Sequence, residues 1–130
     1  MKLAKHLLIS ATVLLTACGG GGGGSSQTPS SLSISGVAAT GAAISGGTIE
    51  ANCQAGSGLA TSNADGSYTL SVSGGQQPCL LRATDPVTQL TLHSMIEAGA
   101  TTANITPVTD LVVANTLGAD PATAFGTFTP

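Results

Sequence analysis

From Leu32 onward the apolar residues recur at every second position, in short runs separated by glycine-rich breaks, and this alternation restricts the fold more than any other feature. A strand turns successive side chains to opposite faces, so a period of two reads as strands buried on one face. LSISGV places Leu32 and Ile34 on one side, TIEANC places Ile49, Ala51 and Cys53, and SYTLSV places Tyr68, Leu70 and Val72. CLLRA groups Cys79, Leu81 and Ala83 with Arg82 opposite, and QLTLHSMI groups Leu90, Leu92 and Ile96 with His93 on the other face. The breaks are turn signals: Gly46-Gly47, Gly56-Ser57-Gly58, Asn63-Ala64-Asp65-Gly66, Gly74-Gly75 and Asp85-Pro86. The expectation is a mainly β fold, an antiparallel sandwich or barrel, the former as a Greek-key β-sandwich, with strands near residues 31–37, 47–53, 58–62, 67–72, 78–84, 88–97 and 101–105, about seven in all, followed by a C-terminal helix.

The pattern changes at ITPVTDLVVANTLG. Thr106 suits a helix N-cap, Pro107 suits the first helical position because its missing N–H has no partner there, and Gly118 supplies the stop. Val108, Leu111, Val112 and, at the margin, Asn115 share a face, so this face is expected to pack on the sandwich or on something that follows it. Asp120-Pro121 repeats the cap-plus-proline signal near the end of the sequence. Residues 107–130 thus read as a helical segment in which a second helix begins without being completed, the start of a truncated region.

The N-terminus reads as a targeting segment, with Lys2 and Lys5 as a basic region and Leu7 to Leu15 as an apolar run. That run is too short to span a bilayer. Leu15-Thr16-Ala17-Cys18 resembles the bacterial lipobox, which implies that residues 1–17 are a signal peptide and that Cys18 is lipidated as the first residue of the mature chain. The alternatives are an ordinary signal peptide and a helix of a soluble domain; the six glycines after Cys18 oppose the helix, since each costs about 1 kcal/mol relative to alanine. Gly19 stands where aspartate favours inner-membrane retention, so the resemblance implies the outer membrane. Through Gly24 and on to Ser31 the composition is that of a Gly/Ser tether, with an expected span of about 20 Å. Residues 18–31 are therefore read as anchor plus linker, and 32–106 as the sandwich.

Without residues 1–17, Arg82 is the remaining cation and His93 the remaining histidine, against Glu50, Asp65, Asp85, Glu97, Asp110 and Asp120. A chain so poor in positive charge lacks the groups that neutralise phosphates, so no nucleic-acid partner is expected. It does not hold anionic lipid by charge either, which leaves membrane attachment to the acyl chains. With Cys18 given to lipid, Cys53 and Cys79 are the natural disulfide pair in an exported domain; the alternative is two free buried thiols.

GVAATGAAISGGTIEANCQAG followed by TSNADGSYTL is similar to the carboxypeptidase regulatory-like domain, a transthyretin-type β-sandwich, with matches at Thr61, Asp65, Gly66, Tyr68 and Leu70. Gly47 and Ile49 depart from the alanine and valine usual in its first motif. ANITPVTDLVVA, residues 103–114, resembles a segment that follows this module in proteobacterial lipoproteins. The resemblance covers roughly residues 32–118 and implies a modular, non-catalytic role rather than peptidase activity.

The residues with chemical potential weigh toward structure. Tyr68 lies on an apolar face and reads as core. His93 is expected to face solvent, and one histidine is too few for an ordinary catalytic metal site, so no metal or other cofactor is expected. A Ser-His-Asp triad needs only one histidine, but the chain has no Gly-x-Ser-x-Gly elbow, and no enzymatic activity is expected. Asn63, Asp65 and Ser67 alternate as calcium ligands sometimes do, though a turn is the better reading. Asn104-Ile105-Thr106 matches a glycosylation sequon that a bacterial lipobox makes accidental. Taken together, these features read as an outer-membrane lipoprotein displaying a structural or binding module to an envelope protein or a glycan. The alternative is an accessory domain of a longer protein whose C-terminal functional region is missing.

Overall fold

The computed structural model describes residues 30–128, and Cys18, with the expected signal peptide and most of the expected tether, lies outside the described residues. Six strands are followed by two helices: β1 (Ser31–Val37), β2 (Thr48–Ala55), β3 (Ser57–Thr61), β4 (Ser67–Ser73), β5 (Gln76–Thr84), β6 (Thr91–Ile96), α1 (Pro107–Leu117) and α2 (Pro121–Thr127). All strand pairs are antiparallel, β1 with β4 in one sheet and β3-β2-β5-β6 in the other. The inward sets read from the alternation meet between the sheets: Ile34, Leu70 and Val72 from one, Ile49, Leu81 and Ile96 from the other, all buried. Cys53 and Cys79 stand opposite each other on β2 and β5, with sulfurs 2.00 Å apart in a disulfide within this core.

Residues 101–105 do not make the expected seventh strand, and Tyr68 accounts for the difference. The segment runs parallel to β1 and makes two isolated bridges, Ser35 of β1 with Thr102 and, just past the strand, Ala38 with Ile105. A continuous parallel ladder would take the Val37 N–H to the Ala103 carbonyl. That carbonyl instead accepts from the Tyr68 hydroxyl at 2.5 Å, and the Val37 N–H donates to the Asn104 side chain at 3.0 Å. Gly36 permits the close passage, because a Cβ there would lie 1.8 Å from the Ala103 oxygen.

β6 begins at Thr91 rather than near residue 88, since Asp85 organises the preceding residues into a turn. Its Oδ1 accepts from the Val87 N–H at 2.8 Å, its N–H donates to the Leu90 carbonyl, and Leu90 is 47 % exposed instead of joining the core.

The helices cover the β5 and β6 side of the outer face of the four-stranded sheet. There Leu80, Val113 and Phe125 form a second apolar cluster, flanked by Met95, Ala124 and Phe128. Thr106 and Pro107 start α1 as expected: the Thr106 hydroxyl accepts from the Thr109 N–H, the Thr109 hydroxyl accepts from the Thr106 N–H, and Gly118 closes the helix at φ 61°. The face expected to pack, however, is the one turned out: Val108, Leu111 and Val112 are 70 %, 70 % and 56 % exposed, Asn115 is exposed, and Val113 is the buried residue. The second helix, expected to begin and remain incomplete, forms as α2. Asp120 accepts from the Ala122 N–H at 2.9 Å, and Pro121 and Phe125 are buried.

Candidate functional site

One row of the outer sheet face brings the charged residues of the strands together. Cross-strand pairing lines up Leu59 on β3, Glu50 on β2, Arg82 on β5 and His93 on β6, and Asp110 of α1 continues the row past the sheet edge. Period-two alternation puts all four strand residues on the face opposite the disulfide.

The charges in this row are spent on one another. Arg82 donates from Nε to Glu50 at 2.8 Å and from a terminal nitrogen at 2.6 Å, while its guanidinium lies 4.4 Å from the centroid of the Phe125 ring. Such a cation over an aromatic face is held by the ring quadrupole as well as by its carboxylate partner. Asn52 donates to the Phe125 carbonyl at 3.2 Å, which ties α2 to β2.

His93 corrects the expectation of a solvent-facing residue. It lies on the non-core face, as the alternation requires, but α1 and α2 cover that face and leave it 3 % exposed. The reason lies at the sheet edge, where the backbone groups of His93 have no strand to pair with. One Asp110 carboxylate oxygen accepts from the His93 N–H at 2.9 Å and contacts Nδ1 at 2.7 Å, and the Thr109 hydroxyl donates to the His93 carbonyl at 2.9 Å. Two consecutive helix side chains thus satisfy an open edge as a neighbouring strand would. With Asp110 as acceptor, Nδ1 carries the hydrogen. Nε2 is buried without a hydrogen-bond partner, beside the Phe125 ring at a centroid distance of 6.1 Å.

This geometry docks α1 and α2 on the sheet. An Asp-His pair prepares a base only when a nucleophile reaches the far ring nitrogen, and His93 Nε2 touches no hydroxyl among the described residues. Ser94, next in sequence, points by alternation to the opposite face. Three metal-ligating side chains do not converge anywhere among the described residues.

Of three recesses on this side of the domain, one reaches the row. One of about 410 Å³ lies over β2 and β3, lined by Glu50, Asn52, Ser57, Leu59 and Phe125. A second of about 310 Å³ runs between β6 and α1, with Met95, Glu97, Val112 and Thr116. The third, of about 340 Å³, lies on the outer surface of α1 between Leu111, Val112 and Asn115.

Asn63, Asp65 and Ser67 come together as a turn. Asp65 accepts from both the N–H and the hydroxyl of Ser67, at 3.0 and 2.6 Å, and Asn63 donates to the Ser67 hydroxyl at 2.9 Å. These bonds, the Ser67 hydroxyl's first, hold the Asp65 carboxyl below its ordinary pKa. The sequence reading missed the roles of Glu50, Thr109 and Asp110; the only available signals were an outward glutamate opposite an outward arginine and an acid in the first turn of a helix.

Comparison with protein-family models, with curated proteins and with solved structures finds no match.

Proposed function

We propose that this protein is a lipoprotein of the bacterial outer membrane, anchored through Cys18 and presenting a non-catalytic β-sandwich for structural or binding roles in the envelope. The observation that carries the reading is the cysteine arithmetic: of three cysteines, Cys53 and Cys79 are bonded to each other, which leaves Cys18, at the end of Leu15-Thr16-Ala17, as the one for lipid. A core disulfide suits an exported chain, and the similarity of residues 32–118 to the carboxypeptidase regulatory-like module agrees with a sandwich that serves as a display unit.

The charged row has a structural task, since its members hold the helices to the sheet. The recess beside Glu50, Asn52 and Ser57 is the place where an envelope protein or a glycan would be met, since its polar groups reach the surface. Metabolic labelling with palmitate tests the anchor: the wild-type chain takes the label and fractionates with the outer membrane, and Cys18→Ser loses both. Label retained in Cys18→Ser would overturn the reading.

A further inference from the structure

We propose that the outward face of α1 rests on the lipid surface to which the chain is anchored, so that the domain lies against the bilayer on its helical side. The proposal rests on the lipid-anchored reading above. Val108, Leu111 and Val112 are exposed on one side of α1, and Leu111 and Val112 border a recess of about 340 Å³. That face carries no charge: Asp110, the one ionisable residue of α1, is turned in to His93. Glu97, which shares the flanking recess with Val112, is the nearby carboxylate and favours a zwitterionic over an anionic surface. The opposite side of the sandwich differs in kind, because the exposed positions of β1 and β4 include Ser31, Ser33, Thr69, Ser71 and Ser73, all hydroxyl side chains.

Chain length favours lipid as the occupant. Residues 19–30 separate Cys18 from the first strand, and a linker of this composition spans about 20 Å, less than the width of many domains. A face too weak to bind from solution then meets the bilayer at high effective concentration. A second copy of the chain fits less well, since a few aliphatic side chains fall far short of the roughly 800 Å² per partner of a stable interface. The aromatic anchors that such interfaces favour, Phe125 and Phe128, are turned into the domain.

The chain contains no tryptophan, so a single introduced one reports its own surroundings. The lipidated full chain carrying Val112→Trp, or Thr69→Trp on the far side, is reconstituted in zwitterionic phosphatidylethanolamine and phosphatidylcholine vesicles whose acyl chains are brominated. Val112→Trp is expected to emit further to the blue and to be quenched about three-fold more than Thr69→Trp, and Leu111→Glu in the Val112→Trp background is expected to abolish the difference. Equal, weak quenching at both positions in protein that floats with the vesicles would overturn the proposal while leaving the anchor intact. A blue shift that grows with protein density but is insensitive to bromine would identify a second copy and overturn it too. Failure to float at all would remove the anchor and this inference together.

Discussion

At the scale of single residues, Tyr68 does the most for the fold: it fills the core from β4 and closes the gap between β1 and residues 101–105 through the Ala103 carbonyl. Burial raises its pKa above the ordinary phenol range. Above about pH 10 the unfolded phenol releases its proton while the folded one keeps it. The folded state then binds more protons, and stability falls as pH rises, with a limiting slope of about 1.4 kcal/mol per pH unit. Urea denaturation between neutral and strongly alkaline pH should show this decline in the wild type and a flatter curve in Tyr68→Phe, which loses about 1–3 kcal/mol at neutral pH because the Ala103 carbonyl is left unpaired. Asp65 behaves in the opposite sense. Its carboxyl titrates below the ordinary value, so the contribution of its bonds to Ser67 is present above that value and is lost as pH falls through the depressed one. An NMR titration should place its midpoint below that of Asp65 in a peptide of the same sequence.

The strands were legible in the sequence because each turns alternate residues toward the space between the sheets, and a period of two records that directly, though not that Leu80 and His93 are also buried on the other face under the helices. What alternation does not record is who competes for a backbone group. The seventh strand fails at one carbonyl claimed by a side chain distant in sequence, and β6 starts late because Asp85 folds the residues before it into a turn. The orientation of α1 was misread for a related reason. Its exposed Val108, Leu111 and Val112 make the more apolar stripe, yet Thr109 and Asp110 satisfy the edge of β6 and turn Val113 inward. A helix face is chosen here by hydrogen bonds that an unpaired edge requires, at the expense of apolar area left outside. Val113→Ala should therefore cost about 2 kcal/mol and Leu111→Ala less than about 0.5 kcal/mol, the reverse of what the sequence pattern implies, as read by chemical denaturation. Asp110→Ala should cost about 1–3 kcal/mol, since it strips the acceptor from two buried donors at once, and should speed amide exchange at His93.

For the molecule as a whole, two staples of different kinds hold a small sandwich together. The row from Glu50 to Asp110 binds the helices to one face of the sheet, and the Cys53–Cys79 disulfide closes a separation of 26 residues within the core. In the chain-entropy treatment a loop of that size stabilises the fold by about 3.5 kcal/mol, a large part of what a domain this small possesses. Both sulfurs are buried, so a reductant reaches them only through opening of the sandwich, and the rate of reduction should rise with denaturant in step with unfolding. The same bond makes the state of Cys18 measurable. With two of three cysteines joined, a mature lipidated chain, denatured without reductant, should bind no thiol reagent, and the Cys18→Ser chain likewise none. An unprocessed precursor should bind one equivalent, since its single unmodified cysteine has no partner left. One equivalent on protein recovered from the membrane fraction would mean that Cys18 carries no lipid on sulfur; two further equivalents would mean that the pair in the core is open.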